Sequence, residues 1–225
     1  MHRKIASTID ECTASAVAYP ITGISCVSAT TLDYQVGHNG DDGYALKTDV
    51  DNTFHGADST SHIGHSYDDE EISIHSMYGF FRFTNVALPS GSIISSAKLS
   101  LKFASGANYD SHTFEVAGRD SGNVTRPTTY DEIEPDADPS YPYTTARVDW
   151  DSIGSLSAGD WFDSPDIKTI IQEIIDGPAQ GTWSSGNALM FVVYDTDTAE
   201  TDKFMHVRTH DHASADAAKL EIVYT

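Results

Sequence analysis

The stretch Ser96-Ala97-Lys98-Leu99-Ser100-Leu101-Lys102-Phe103 decides the fold class. In an extended chain Ala97, Leu99, Leu101 and Phe103 share one face, while the Ser and Lys residues share the other. That alternation describes a half-buried antiparallel strand, apolar toward a core and polar toward solvent. Outward from it, period-two patterns with turn residues between them recur at 44–46, 78–83, 93–103, 113–117, 144–150, 204–208 and 220–224. Met190-Phe191-Val192-Val193-Tyr194 is apolar on both faces, which predicts a central strand.

One segment has a different period. Ile167, Ile170, Ile171, Ile174 and Ile175 repeat at helical spacing. Ser164 is placed to cap the start, Pro165 suits the first turn, and Asp166 suits the positive end of the helix dipole. Gly177-Pro178 closes it, so one short helix is predicted over 165–176. About ten strands with a single short helix predict an all-β fold: a two-sheet antiparallel β-sandwich of the jelly-roll kind. All-β units of ~200–250 residues occur as single domains. Residues 31–225 are therefore read as one domain, and residues 1–30 as an N-terminal arm or first strands. The acidic stretch 118–142 carries Pro127, Pro135, Pro139 and Pro142 without a clear period, and is expected to be a surface excursion.

Charge narrows the function. Lys and Arg number 13 against 34 Asp and Glu, a formal charge of −21. Nucleic-acid binders hold phosphate with cations, so this chain would be repelled by DNA, RNA and anionic membranes. No apolar run approaches the ~18 residues of a membrane span. Met1-His2-Arg3-Lys4-Ile5 begins like a secretory leader, but Ser7, Thr8, Asp10 and Glu11 follow at once. The expectation is a chain made in the cytoplasm without export, with Cys12 and Cys26 reduced.

Chemistry-bearing patterns are few. His62-Ile63-Gly64-His65 and His210-Asp211-His212 have metal-like spacings, but the sequence implies no third ligand, and both are read as exposed loop histidines. Asp195, Asp197, Glu200 and Asp202 fall within eight residues after the central strand and could wrap calcium with backbone carbonyls. The spacing is not that of an EF-hand; Asp41-Asp42 and Asp49-Val50-Asp51 are weaker cases of the same kind. There is no nucleophile elbow, phosphate loop or dinucleotide fingerprint, so an enzyme is not expected. Among aromatics near loops, Tyr141 and Tyr143 are the candidates for ligand binding, while Trp150 and Trp183 are read as core plugs.

Three segments carry a family resemblance. Phe80-Phe81-Arg82-Phe83-Thr84-Asn85-Val86-Ala87-Leu88-Pro89-Ser90-Gly91-Ser92-Ile93-Ile94-Ser95-Ser96-Ala97-Lys98-Leu99 resembles the strand–turn–strand of sandwich modules of the DNRLRE type. The helix 164–178, with Trp183-Ser184-Ser185-Gly186-Asn187-Ala188-Leu189, is similar to the helix and following strand of those modules. Ala217-Ala218-Lys219-Leu220-Glu221-Ile222-Val223-Tyr224 resembles their closing strand. Such modules are similar to carbohydrate-binding modules; they occur on secreted bacterial proteins and on the virions of tailed phages. The resemblance implies a non-enzymatic phage virion surface protein: a capsid decoration protein, a head fibre or a tail-associated component. It would self-assemble as a homo-oligomer (a trimer by analogy) and attach to capsid or tail proteins. The alternative it implies is a carbohydrate-binding adhesion module, calcium-assisted, with a host surface polysaccharide as partner.

Overall fold

The computed structural model describes residues 6–9, 28–68, 73–135, 137–196 and 202–225. Cys12, Cys26, Asp197 and Glu200 lie outside the described residues. In chain order the elements begin with β1 (Ala6–Ile9), β2 (Ala29–Gln35), β3 (Asp42–Lys47), β4 (Asn52–His55), β5 (Thr60–Asp68) and β6 (Ser73–Phe83). There follow β7 (Ile94–Ala107), β8 (Phe114–Arg119), β9 (Tyr143–Trp150), β10 (Trp161–Asp163), α1 (Lys168–Asp176), β11 (Leu189–Tyr194), β12 (Lys203–Arg208) and β13 (Lys219–Tyr224). The fold is all-β with one short helix, as the alternation at 96–103 predicts.

The pairing path runs unbroken, β1-β2-β13-β7-β12-β5-β6-β11-β8-β9, with β10 added on β7 and the β3–β4 hairpin added on β6. The two sheets expected from sequence are thus limbs of one curled antiparallel sheet. Strand β7 makes the turn between limbs. Its first part pairs with β13, as in Leu99 opposite Leu220, and its last part pairs with β12, as in Gly106 opposite Met205. A register shift between His206 and Val207 accommodates the bend.

The apolar face of β7 buries Ala97, Leu99, Leu101 and Phe103 against Phe81, Phe83, Phe191, Trp150 and Ile222. Each Leu or Phe among them contributes roughly 1.5–3 kcal/mol when withdrawn from water. Trp150 and Trp183 are both core residues, and the Trp183 indole donates to the Leu88 carbonyl at 3.0 Å. Helix α1 lays Ile170, Ile171, Ile174 and Ile175 on this core. It begins at Lys168, later than the sequence suggests, because Ser164 does not cap it. The Ser164 hydroxyl accepts from the Leu99 amide and donates to the Pro165 carbonyl, while Asp166 accepts from the amides of Ala97 and Lys168. Both residues therefore tie the approach to the helix onto β7.

The segment 118–142 corrects the expectation of a surface excursion. Val124, Tyr130 and Ile133 are buried in a second apolar cluster with Tyr78, Phe80, Met190, Val192 and Tyr194. These last residues occupy the face of β6 and β11 turned away from the first core, so the segment covers that face. This explains why β11 is apolar on both sides: all six of its residues are buried, between β6 and β8. A Glu132 carboxylate that accepts from the amides of Thr128 and Thr129 ties off a short 3-10 turn at Tyr130–Glu132.

Candidate functional site

Where 118–142 leaves and rejoins the sheet, it opens a cleft of about 180 Å³. Arg119, at the end of β8, forms its inner wall; Ser121, Asn123, Glu132, Tyr141 and Gln180 supply polar lining, and Val124 and Met190 the floor. The volume lies below the ~300–1,000 Å³ of pockets for drug-sized ligands, and so suits one sugar ring or a comparably small polar group. The wall is set by close backbone packing: Gly122 donates its amide to the Gln180 carbonyl at 2.7 Å. A Cβ on Gly122 would fall 2.3 Å from the Thr182 carbonyl carbon, so no larger residue fits there.

Arg119 is the unusual member. It is only 5% exposed, and its Nη1 has no hydrogen-bond partner. Its guanidinium lies over the Tyr141 ring, 4.5 Å from the centroid, and 5.5 Å from that of Tyr143. Burial lowers its pKa, with Tyr143, Glu132 and Tyr141 pulling the other way; an arginine nonetheless stays charged. The neighbours are otherwise occupied. Gln180 donates to the Ser140 carbonyl at 2.6 Å, Asn123 Oδ1 accepts from the Ala188 amide, and Glu132 is held in its turn. A buried guanidinium N–H left unpaired is costly, and an oxyanion or hydroxyl in the cleft would satisfy it.

Tyr141, one of the two aromatic candidates, lines the cleft. Tyr143 is placed behind it, buried, with its hydroxyl donating to the Ile133 carbonyl at 2.8 Å. It backs the guanidinium and does not line the opening. Arg119 and Gln180 escaped the sequence reading because nothing around them has a motif; chain segments far apart in sequence meet here.

Of the four acidic residues read as calcium candidates after β11, Asp195 and Asp202 lie among the described residues. The Asp195 side chain is 2% exposed, and its Oδ2 accepts from His65 Nδ1 at 2.5 Å and lies 2.7 Å from His112 Nε2. Asp202 Oδ1 accepts from the Tyr67 amide at 2.9 Å. Among the described residues, no group of three or more His, Cys, Asp or Glu is arranged to hold a metal ion.

The expectation of exposed loop histidines is corrected for the first pair, which lies in β5 with His65 buried, and the two separate for geometric reasons. His62 and His65 differ by an odd number in β5 and so face opposite ways. His65 goes to Asp195, while His62 stacks between Tyr44 at 4.0 Å and His206 at 3.8 Å. His55 continues the stack on Tyr44 at 4.4 Å. His210 and His212 sit in a turn, where His210 Nδ1 donates to Asn39 Oδ1 and His212 pairs with Asp216.

A last polar corner joins the 37–42 turn to 209–211. Asp41 is paired with Arg82 at 2.7 Å and Arg126 at 3.1 Å. Its neighbour Asp42 is fully buried; Oδ2 accepts from the His210 amide at 2.8 Å, but Oδ1 has no partner. Burial pushes the Asp42 carboxyl up to about 7, opposed by the amides of His210 and of Asp42 itself and helped by the charges of Asp211 and Asp41.

A scan against protein-family models and a search of curated proteins each found no match. No helix among the described residues is long and apolar enough to cross a membrane.

Proposed function

We propose that this chain is a non-enzymatic surface module of a tailed-phage virion that displays a glycan-holding cleft at Arg119 and Tyr141. The observation that carries the binding half is the buried guanidinium, stacked on Tyr141 and left with an unpaired donor at the cleft wall. Aromatic faces suit the apolar side of a sugar ring, and a guanidinium pairs best with a carboxylate or another oxyanion. The ligand class is therefore a saccharide with an acidic group. The virion half is supported by the resemblance of 80–99, 164–189 and 217–224 to sandwich modules found on such particles.

The test is a glycan array carrying uronate-rich, sialylated and neutral oligosaccharides. Binding to acidic glycans, weakened at least tenfold in Arg119→Gln and in Tyr141→Ala, is the expected outcome. Binding to neutral glycans alone, or binding untouched by both substitutions, would overturn the binding half. Failure to associate with itself or with phage particles would overturn the virion half separately.

A further inference from the structure

We propose that Asp42 and Asp211 hold a calcium ion where the 37–42 turn meets 209–211. The inference is independent of the glycan cleft. Asp42 is 0% exposed, and one of its two carboxylate oxygens has no donor. Asp211 Oδ2 is likewise buried and without a partner. The two charges interact unfavourably.

The nearby cations are committed elsewhere. Arg82 Nη1 and Arg126 Nε both go to Asp41 Oδ1, and Arg82 Nε goes to the Val124 carbonyl. His210 spends Nδ1 on Asn39 and offers Asp42 only its backbone amide. A buried carboxylate oxygen with no donor is unfavourable, and a bound cation relieves it. The donors are hard oxygens, the class that calcium takes, and two carboxylates with carbonyl or water oxygens are a common share of its six to eight ligands. Magnesium demands a stricter octahedron and gives up its water reluctantly, so it should serve less well.

The experiment is thermal melting of the full chain after EDTA treatment, then with added calcium chloride. The wild-type Tm should rise by about 5–10 °C at ~100-fold excess over Kd. Asp42→Asn should show no calcium response, and its Tm in EDTA should equal or exceed that of wild type in EDTA. A merely structural Asp42 would instead lower that Tm. Asp211→Asn, a substitution in a partly exposed turn, should weaken calcium at least tenfold and covers the case in which Asp42→Asn does not fold. Asp202→Asn should respond as wild type does. The proposal is overturned if wild type ignores calcium, if Asp42→Asn and Asp211→Asn still respond fully, or if the response vanishes only in Asp202→Asn, which would place the ion beside Asp195.

Discussion

At the scale of single residues, the ion pairs inside this molecule differ in what they secure. Asp41 Oδ1 receives both Arg82 and Arg126, and the carboxylate is 4% exposed. Removing that charge strands Arg82 in a dry site, so Asp41→Asn should cost about 3 kcal/mol in urea unfolding. A loss below ~1 kcal/mol would mean that Arg82 finds water instead. Arg119 is the reverse case, a buried cation that leans on Tyr143 and leaves Nη1 without a hydrogen-bond partner. Replacing it with Met should leave stability unchanged or raise it, because removing a desolvated charge outweighs the loss of the Tyr143 and Glu132 interactions. Urea melts showing a loss of 2 kcal/mol or more would contradict the reading of Arg119 as a ligand-facing group and make it a structural one.

At the scale of elements, two contacts can be tested. Helix α1 sits so close to β8 that a Cβ on Gly118 would lie 2.5 Å from Ile170 Cγ2. Gly118→Ala should cost about 1–3 kcal/mol in urea unfolding by overpacking; a loss below ~0.5 kcal/mol would mean that the helix shifts to make room. The ring stack on β3, β5 and β12 should respond to acid. Burial, and then the charge of His206, hold His62 down at about 4, with Asp58 pulling up and His55 pushing down; burial also lowers His206. An unfolded histidine titrates near ~6.5, so the unfolded chain binds more protons between about 6.5 and about 4. The stability this stack contributes is full above that window and falls as pH drops through it, by at most ~1.4 kcal/mol per pH unit for each proton. His62→Phe should flatten the slope of Tm against pH there; an unchanged slope would place the acid sensitivity elsewhere. The elements themselves were largely legible. The alternation of 96–103, the isoleucine spacing of α1 and the two-sided apolarity of β11 are local patterns, and local patterns survive folding. The apolar anchors Val124, Tyr130 and Ile133 were not legible, because they meet the sheet singly and without a period. Nor was the pairing of Asp195 with His65, across 130 residues of chain. The cleft was half legible: Tyr141 stands out as a loop aromatic, while Arg119 gains its meaning only from the ring beneath it.

At the scale of the whole molecule, a charge of −21 surrounds a cleft whose one buried cation is Arg119. An acidic glycan must approach against that field and then meet a guanidinium shielded from solvent. Added salt screens the long-range repulsion more than the short contact. Association with an oligouronate should therefore quicken as salt rises from ~0.01 to ~0.15 M, where the screening length falls from ~30 to ~8 Å. Stopped-flow rates that fall with salt would point to a cationic docking face. Light scattering should give a closed homo-oligomer, a trimer by analogy with similar virion modules; a monomer that also fails to associate with phage particles would remove the virion half of the account. The central claim is that Arg119 is the ligand's anchor. Its most direct test is guanidinium-resolved ¹⁵N NMR of the full chain during titration with an oligouronate. The account predicts that the Arg119 resonances shift and sharpen with the ligand, together with the Tyr141 ring signals and the Gln180 amide. Saturable binding that leaves Arg119 unmoved and perturbs another face would contradict it.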